Sequence, residues 1–213
     1  MGTIHLNEGG TLELEIDRGV LGSDLMIPAI ILARYLHKNK KLYTNKNVLD
    51  MGCGAGPQGI ICAKNGAGNV DFSDISEKAV QNCRRNLSTF GIDANVYRGD
   101  LFESVPEKEY NLIMFNNPFF PEEAKNFEDD FLGDPILLKS LLGGTGLLKR
   151  FYREAKKYLE SDGMIIQPYF DFAGEENNPG IQGPKHGYKV REMYHEQISV
   201  GSHQGRCSVF ELR

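Results

Sequence analysis

The sequence has no tryptophan, few cysteines and no long hydrophobic run. Its four cysteines are far apart and form no C-x-x-C pair, which argues against a zinc site or a disulfide framework and favours reduced thiols. The longest apolar run, residues 25–33, contains Pro28 and is far shorter than the roughly 20 residues that span a bilayer. No basic, apolar signal segment opens the chain, so we expect a cytoplasmic protein with no membrane contact and no bound metal.

Acidic side chains outnumber basic ones by 29 to 24, which gives a formal charge of −5. This charge argues against a broad binding surface for the phosphate backbone of a nucleic acid. The chain is 40% hydrophobic and 25% charged, as globular proteins are, and this excludes disorder over most of its length. Its 213 residues predict one domain, which we divide into an amino-terminal hairpin and helix in residues 1–45 and a core in residues 46–213.

Strand and helix patterns alternate along the chain. Residues 4–16 alternate between apolar and polar side chains around a turn, which predicts a β-hairpin, and Ser23 or Asp24 can cap a helix that runs to about residue 38. The alternation predicts an α/β fold, in which a parallel sheet is covered by helices on both faces and closed by an antiparallel pair of strands. Further strands are predicted at 48–51, 70–74, 94–98, 110–115, 163–169, 190–200 and 207–212, further helices at 57–65, 76–90 and 147–159, and a short helix or none at 174–187.

The first strand of the predicted core is followed by a glycine-rich loop, D-M-G-C-G-A-G, at residues 50–56. Ligands of such sheets bind beyond the carboxyl ends of the strands, and glycines let the backbone N–H groups approach them closely. Gly54, Gly56 and Gly59 also form G-x-G-x-x-G, with Asp74 twenty residues after Gly54, which is the pattern of dinucleotide-binding proteins. The carboxylate of Asp50 would be unfavourable beside a pyrophosphate and favourable beside a cationic ligand.

Polar side chains follow the next three strands. Asp74 can accept hydrogen bonds from two ribose hydroxyl groups, and Asp100 can meet an adenine amino group while Leu101 or Phe102 covers the ring. The fourth strand is followed by N-N-P-F-F at residues 116–120. Amide and carbonyl oxygens beside a rigid proline and an aromatic ring form a clamp for a planar NH₂ group. A structural turn at each of these positions is the alternative interpretation.

These four loops, in this order, resemble those of class I S-adenosylmethionine-dependent methyltransferases. The last resembles the N-P-P-[YF] signature of the N-methylating branch, and the chain is similar to release-factor glutamine and ribosomal RNA guanine-N2 methyltransferases. The resemblance implies S-adenosylmethionine as cofactor and a Rossmann-like sheet of seven mostly parallel strands with an antiparallel carboxyl-terminal strand. The cofactor-binding residues that it implies are Asp50, Gly52, Cys53, Gly54, Gly56, Asp74, Ile75, Asp100, Leu101 and Asn116.

The same resemblance implies that residues 116–119 are catalytic. The side-chain oxygen of Asn116 would accept a hydrogen bond from the nucleophilic nitrogen, and the carbonyl of Asn117 would accept the second. Phe119, which follows Pro118, would stack on the plane of the substrate. Asn117 replaces the first proline of the signature, and Phe119 stands in place of a tyrosine. The carbonyl and the stacking survive these changes, but the loop is expected to be less rigid.

Four functions are compatible with these residues. A protein glutamine substrate is favoured by the clamp, by G-G-T-G at 143–146, and by residues 121–134, where six acidic residues and one lysine give −6 + 1 = −5. For this function the resemblance also implies a small activating partner protein. A nucleic-acid base amine is favoured by residues 18–24, which resemble a segment of related RNA guanine and release-factor glutamine methyltransferases, and is opposed by the acidic charge. A small-molecule amine suits the acidic loop, whereas a cofactor-binding module without catalysis would not need Asn116.

Overall fold

A sheet of seven strands forms the centre of the fold. The computed structural model describes residues 2–6, 9–20, 27–118, 144–200 and 203–213. The strands are β1 (Gly2–His5) and β2 (Thr11–Leu14), which pair separately as a hairpin, then β3 (Asn47–Met51), β4 (Asn69–Asp74), β5 (Asn95–Arg98), β6 (Tyr110–Phe115), β7 (Leu159–Phe170), β8 (Val190–Val200) and β9 (His203–Leu212). The spatial order is β5-β4-β3-β6-β7-β9-β8, in which β3 to β7 run parallel to one another and β9 runs antiparallel to β7 and β8. This confirms the mostly parallel sheet with an antiparallel carboxyl-terminal strand.

Helices cover both faces of the sheet, as predicted. Local capping residues set the starts of three of them. Pro57 occupies the first turn of the helix Pro57–Lys64, Ser76 Oγ accepts from the Ala79 N–H, and Asn178 Oδ1 accepts from the Gly180 N–H. None of the helices in the described ranges is long and apolar enough to cross a membrane. These helices are α1 (Ile27–Lys38), α2 (Pro57–Lys64), α3 (Glu77–Thr89), α4 (Gly144–Ala155) and α5 (Pro179–Lys185).

Alternate residues of the central strands face two separate hydrophobic clusters. Leu112 and Met114 of β6 pack with α1, α2 and α3, whereas Ile113 and Phe115 pack with α4. Because both faces are covered, the strands are largely apolar, and buried polar residues within them, such as Asp71, Ser73 and Gln167, are hydrogen-bonded. Since β3, β4, β5 and β6 run parallel, their carboxyl ends lie along one edge of the sheet, and the loops of interest come together there.

One predicted boundary was wrong: the helix expected at 147–159 ends earlier. In the structure α4 ends at Ala155 and β7 begins at Leu159, because the Tyr110 N–H donates to the Tyr158 carbonyl at 2.7 Å and draws this segment beside β6. A Cβ at Gly163 would lie 2.8 Å from the Tyr110 carbonyl oxygen, so glycine permits this close approach. The short helix in 174–187 is present, and the proposed caps at residues 23 and 24 lie outside the described residues.

The segment 15–20, here called the amino-terminal strap, is fixed to α3 by two buried asparagines. Asn82 Nδ2 donates to the Glu15 carbonyl at 2.8 Å. Asn86 Oδ1 accepts from the Glu15 N–H at 2.9 Å, and its Nδ2 lies 2.9 Å from the carbonyl oxygens of both Glu15 and Ala55. One side chain thus joins the strap to the glycine-rich loop.

Candidate active site

The glycine-rich loop between β3 and α2 has the backbone conformation that glycine favours. The φ angles of Gly52, Gly54 and Gly56 are 63°, 56° and 87°. A Cβ at Gly52 would lie 3.1 Å from the ring of Phe115, so this glycine lets the loop lie directly beside the end of β6. The Cys53 N–H donates to the Ser73 carbonyl at 3.0 Å, which attaches the loop to β4 as well.

Asp50 lies beneath this loop and is buried. Its Oδ2 accepts a hydrogen bond from the Gly59 N–H at 2.8 Å, which connects the end of β3 to α2. Burial raises the pKa of Asp50 to about 8, the Gly59 hydrogen bond opposes this, and the charge of Asp74 adds to it. A nearby cation would stabilise the ionised form of this carboxyl group.

The raised pKa of Asp50 makes the stability of the fold depend on pH. Between about pH 4 and about pH 8 the folded protein retains a proton that the unfolded chain has released, so the free energy of unfolding falls as the pH rises through this window. Asp50→Asn should remove this part of the slope, because an amide has no proton to lose. Urea unfolding of both proteins at a series of pH values measures the difference, and parallel curves would contradict the assignment.

The third glycine of the G-x-G-x-x-G pattern has a packing role. A Cβ at Gly59 would lie 2.2 Å from Cε1 of Phe72 and 3.0 Å from Asp50 Oδ2, so only glycine allows α2 to lie this close to β4. Within the described residues, this position therefore needs no dinucleotide to explain its glycine.

Asp74, at the end of β4, faces the same loop. Its Oδ2 accepts from the Gly54 N–H at 2.9 Å and its Oδ1 accepts from the Ser76 N–H at 2.8 Å. Burial raises the pKa of Asp74, and these backbone hydrogen bonds lower it. The Ile75 N–H also bonds this carboxylate, which keeps a lone pair for a ligand hydroxyl. Ile75, the next residue, is 65% exposed, an unusual position for a large apolar side chain.

Asp100 follows β5 and has a partner that the sequence does not reveal. Its Oδ1 lies 2.6 Å from Nη2 of Arg150 on α4, in a partly exposed ion pair. Leu101 is buried and has a φ of 52°, and Phe102 stacks on Tyr158 with ring centroids 4.4 Å apart. Phe102 is thus a packing residue, while the adenine contact of Asp100 and Leu101 stays a prediction.

The proposed clamp follows β6. Asn116 is half-buried, whereas Asn117 is buried and its Oδ1 accepts from Gln167 Nε2 of β7 at 2.7 Å. Asn117 Nδ2 donates to the Pro118 carbonyl at 2.8 Å. Phe119 and the acidic residues 121–134 lie outside the described residues. Sequence reasoning missed Gln167 because it is separated from Asn117 by fifty residues and belongs to no motif.

The described loops bring together Asp50, Asp74, three glycines and the residues that follow β6 at one edge of the sheet. The Asp74 carboxylate suits a ligand with hydroxyl groups and would repel a pyrophosphate, and a positively charged ligand such as S-adenosylmethionine would also stabilise the ionised form of Asp50. Among the described residues there is no group of three His, Cys, Asp or Glu side chains that could hold a metal ion. The arrangement places a pocket edge suited to such a ligand beside the residues that follow β6.

Comparison with known proteins agrees with this chemistry. The chain matches the family model described as Methyltransferase small domain over residues 11–134, more than half its length. A Methanocaldococcus jannaschii protein named for protein N5-glutamine methylation is 31% identical over 155 residues, which cover 73% of this chain and 77% of that protein. A ribosomal protein uL3 glutamine methyltransferase of Bradyrhizobium diazoefficiens is 31% identical over 126 residues, which cover 57% of this chain and 40% of the relative. The chain thus spans less than half the length of that bacterial relative.

Methyltransferases named for ribosomal RNA are also similar to this chain. A ribosomal RNA small subunit methyltransferase C of Hamiltonella defensa is 33% identical over 101 residues, which cover 44% of this chain and 30% of the relative. The solved structure of the T. thermophilus 16S rRNA N2 G1207 methyltransferase, in complex with AdoMet and guanosine, has a TM-score of 0.65 and 16% identity. The match covers 99% of this chain and 49% of that one, and at this identity it establishes the fold.

Proposed function

The chain belongs to the methyltransferase small domain family, and we propose that the methyl group it transfers goes to the side-chain amide nitrogen of a protein glutamine. The family uses S-adenosylmethionine, and the chain is an S-adenosylmethionine-dependent methyltransferase. The observation that carries the glutamine assignment is the position of Asn116-Asn117-Pro118. This segment follows β6, beside the glycine-rich loop, where Phe115 covers Gly52. The relatives named for glutamine methylation support the same assignment.

Methyl transfer of this kind requires orientation of the acceptor nitrogen more than activation of the methyl group. S-adenosylmethionine, when bound, supplies a methyl group that its sulfonium already activates. Asn116 Oδ1 and the backbone carbonyl of Asn117 would accept hydrogen bonds from the two N–H groups of the amide and aim its nitrogen at the methyl carbon. Positioning of this kind can contribute about 7–11 kcal/mol. The same two acceptors stabilise positive charge that develops on nitrogen, and since neither is a strong base, the proton leaves after transfer.

The residues at the glycine-rich loop would hold the cofactor. Asp50 and the backbone of Gly52, Gly54 and Gly56 would face its methionine end, and Asp74 would accept hydrogen bonds from its ribose. Asp74→Ala should therefore weaken S-adenosylmethionine binding by at least about tenfold, the value of a hydrogen bond to a charged group. Titration calorimetry measures this, with Asp162→Ala as the control because that exposed carboxylate lies near the opposite edge of the sheet. An unchanged dissociation constant for Asp74→Ala would contradict the ribose contact.

The acceptor is tested by methyl transfer from radiolabelled S-adenosylmethionine into a fractionated cell extract. Glutamine methylation predicts label in a protease-sensitive band that acid hydrolysis releases as methylamine, because the N5-methyl amide is cleaved while methylated lysine and arginine keep their methyl groups. Asn116→Ala should label the band at least about tenfold more slowly. Label that remains on an amino acid after acid hydrolysis would contradict the glutamine assignment.

A nucleic-acid base amine is the second candidate, because an rRNA small subunit methyltransferase shares 33% identity over part of this chain. The formal charge of −5 opposes it, since binding to phosphates depends on neutralising them with basic side chains. The same extract assay would place the label in RNA or DNA. A gel shift with submicromolar affinity at ~150 mM salt would favour this candidate over glutamine.

A further inference from the structure

A buried series of hydrogen bonds connects α4 and β7 to the clamp. Tyr152 Oη donates to Gln167 Oε1 at 2.7 Å, and Gln167 Nε2 donates to Asn117 Oδ1 at 2.7 Å. Asn117 Nδ2 then donates to the backbone carbonyl of Pro118 at 2.8 Å. Tyr152 and Gln167 are 0% exposed and Asn117 is 6% exposed, so bulk water is kept from these bonds. Nothing in the proposed chemistry uses Tyr152 or Gln167 directly.

The Pro118 carbonyl determines which group donates and which accepts in each hydrogen bond of the series. The carbonyl of Pro118 can only accept, so Asn117 must turn its NH₂ toward it and its Oδ1 toward Gln167. Gln167 must then donate to Asn117 and accept from Tyr152. Burial raises the pKa of the Tyr152 hydroxyl, which therefore stays protonated and can donate. A single arrangement of both amides satisfies every group, so the Asn117 side chain is held in one orientation.

We propose that Gln167 and Tyr152 are positioning residues for methyl transfer. Through hydrogen bonds they hold the Asn117–Pro118 backbone in place, the task that the first proline performs in the N-P-P-[YF] signature. The inference rests on the proposed function, since it takes residues 116–119 as the clamp. Proline restrains its own φ to about −65° covalently. Asn117 has no such restraint, but its side chain is bonded at both ends, to β7 on one side and to the next peptide unit on the other. A looser clamp would misdirect the acceptor nitrogen and slow transfer while leaving cofactor affinity unchanged.

Tyr152→Phe tests the far end of the series. The substitution keeps the ring packed against Phe151 and Tyr188 and removes only the hydroxyl. We expect the side-chain NH₂ protons of Gln167 and Asn117 to exchange with solvent at least about tenfold faster by NMR. Methyl transfer should slow at least about threefold, with the S-adenosylmethionine dissociation constant within about twofold of the wild type.

Tyr43→Phe is the matched control for this variant. Tyr43 is equally buried, and its hydroxyl donates to the Leu36 carbonyl at 3.1 Å, in a part of the chain that does not contact the clamp. It should alter neither the amide exchange nor the rate of transfer. Faster amide exchange in Tyr43→Phe to the same extent would overturn the proposal, because a general loss of stability would then explain the effect.

A second test exchanges one restraint for the other. Gln167→Met keeps the length of the side chain and removes both hydrogen bonds, so transfer should slow at least about tenfold. Adding Asn117→Pro should recover most of the lost rate, since the covalent restraint replaces the hydrogen-bonded one. A double variant no faster than Gln167→Met would overturn the proposal.

The readouts separate this inference from the choice of acceptor. Transfer is measured as total label from S-adenosylmethionine in an unfractionated extract, so the comparison of rates holds whether protein, RNA or a small molecule is labelled. Label outside protein would refute glutamine methylation and leave the positioning role measurable. If the wild type transfers no label, amide exchange alone decides: unchanged exchange in Tyr152→Phe overturns the proposal, and faster exchange supports it. Equal losses of cofactor affinity and transfer rate in Tyr152→Phe would also overturn it.

Discussion

Asn116→Ala should lose at least about tenfold in the rate of methyl transfer while it binds S-adenosylmethionine as tightly as the wild type does. The side chain is half-buried at the end of β6, and truncation removes one of the two acceptors proposed for the substrate NH₂ group. A tenfold loss corresponds to about 1.4 kcal/mol of transition-state stabilisation, the value of one hydrogen bond. Single-turnover transfer measures the rate, and calorimetry measures the binding.

The control for this variant is Asn69→Ala. Asn69 is also an asparagine of the sheet, but it is exposed at the start of β4, at the opposite end of the strands. It should retain the wild-type rate. A wild-type rate of methyl transfer for Asn116→Ala would show that the clamp takes no part in catalysis. A fall in cofactor affinity equal to the fall in rate would assign Asn116 to cofactor binding alone.

Gly59→Ala should destabilise the fold by about 3 kcal/mol, at the upper end of the usual cost of overpacking a core. The added methyl group would lie 2.2 Å from Cε1 of Phe72, which is fully buried on β4, so either α2 or the ring must move. Such a shift also lengthens the hydrogen bond from the Gly59 N–H to Asp50. For a chain of this size the melting temperature should fall by about 6–12 °C.

Gly146→Ala is the matched substitution in another helix. Gly146 lies in α4, is exposed, and a Cβ there would meet no atom of the described residues within 4 Å. Alanine should leave stability unchanged or raise it by up to about 1 kcal/mol, since glycine is the poorer helix former. Equal melting temperatures for Gly59→Ala and Gly146→Ala would contradict the packing role of Gly59.

The features that the sequence predicts well are those in which neighbours along the chain determine the structure. Gly56 before Pro57 sets the start of α2, Ser76 sets the start of α3, and the apolar strands set the order of loops at the carboxyl edge. The position of Asp74 beside the glycine-rich loop could be predicted because this residue ends a strand that must be buried. Each depends on a spacing of a few residues, and tertiary contacts do not override it.

The features that could not be predicted from the sequence depend on contacts between residues far apart along the chain. Arg150 reaches Asp100 across fifty residues, and Gln167 reaches Asn117 across the same separation. The early end of α4 has the same origin, because the apolar spacing through Leu159 suits a helix until the Tyr110 N–H binds the Tyr158 carbonyl. Local periodicity carries no information about these contacts, since each exists only once the sheet has formed.

The asparagine that joins the amino-terminal strap to the glycine-rich loop couples their local unfolding. Asn86 Nδ2 donates to the carbonyls of both Glu15 and Ala55, so opening of the strap leaves one of its N–H groups unsatisfied beside the glycine-rich loop. The strap and the glycine-rich loop are therefore expected to unfold locally together, as one cooperative unit with α3. A ligand that orders the loop would then raise the free energy of opening the strap, so residues near the start of the chain would report on the occupancy of the site.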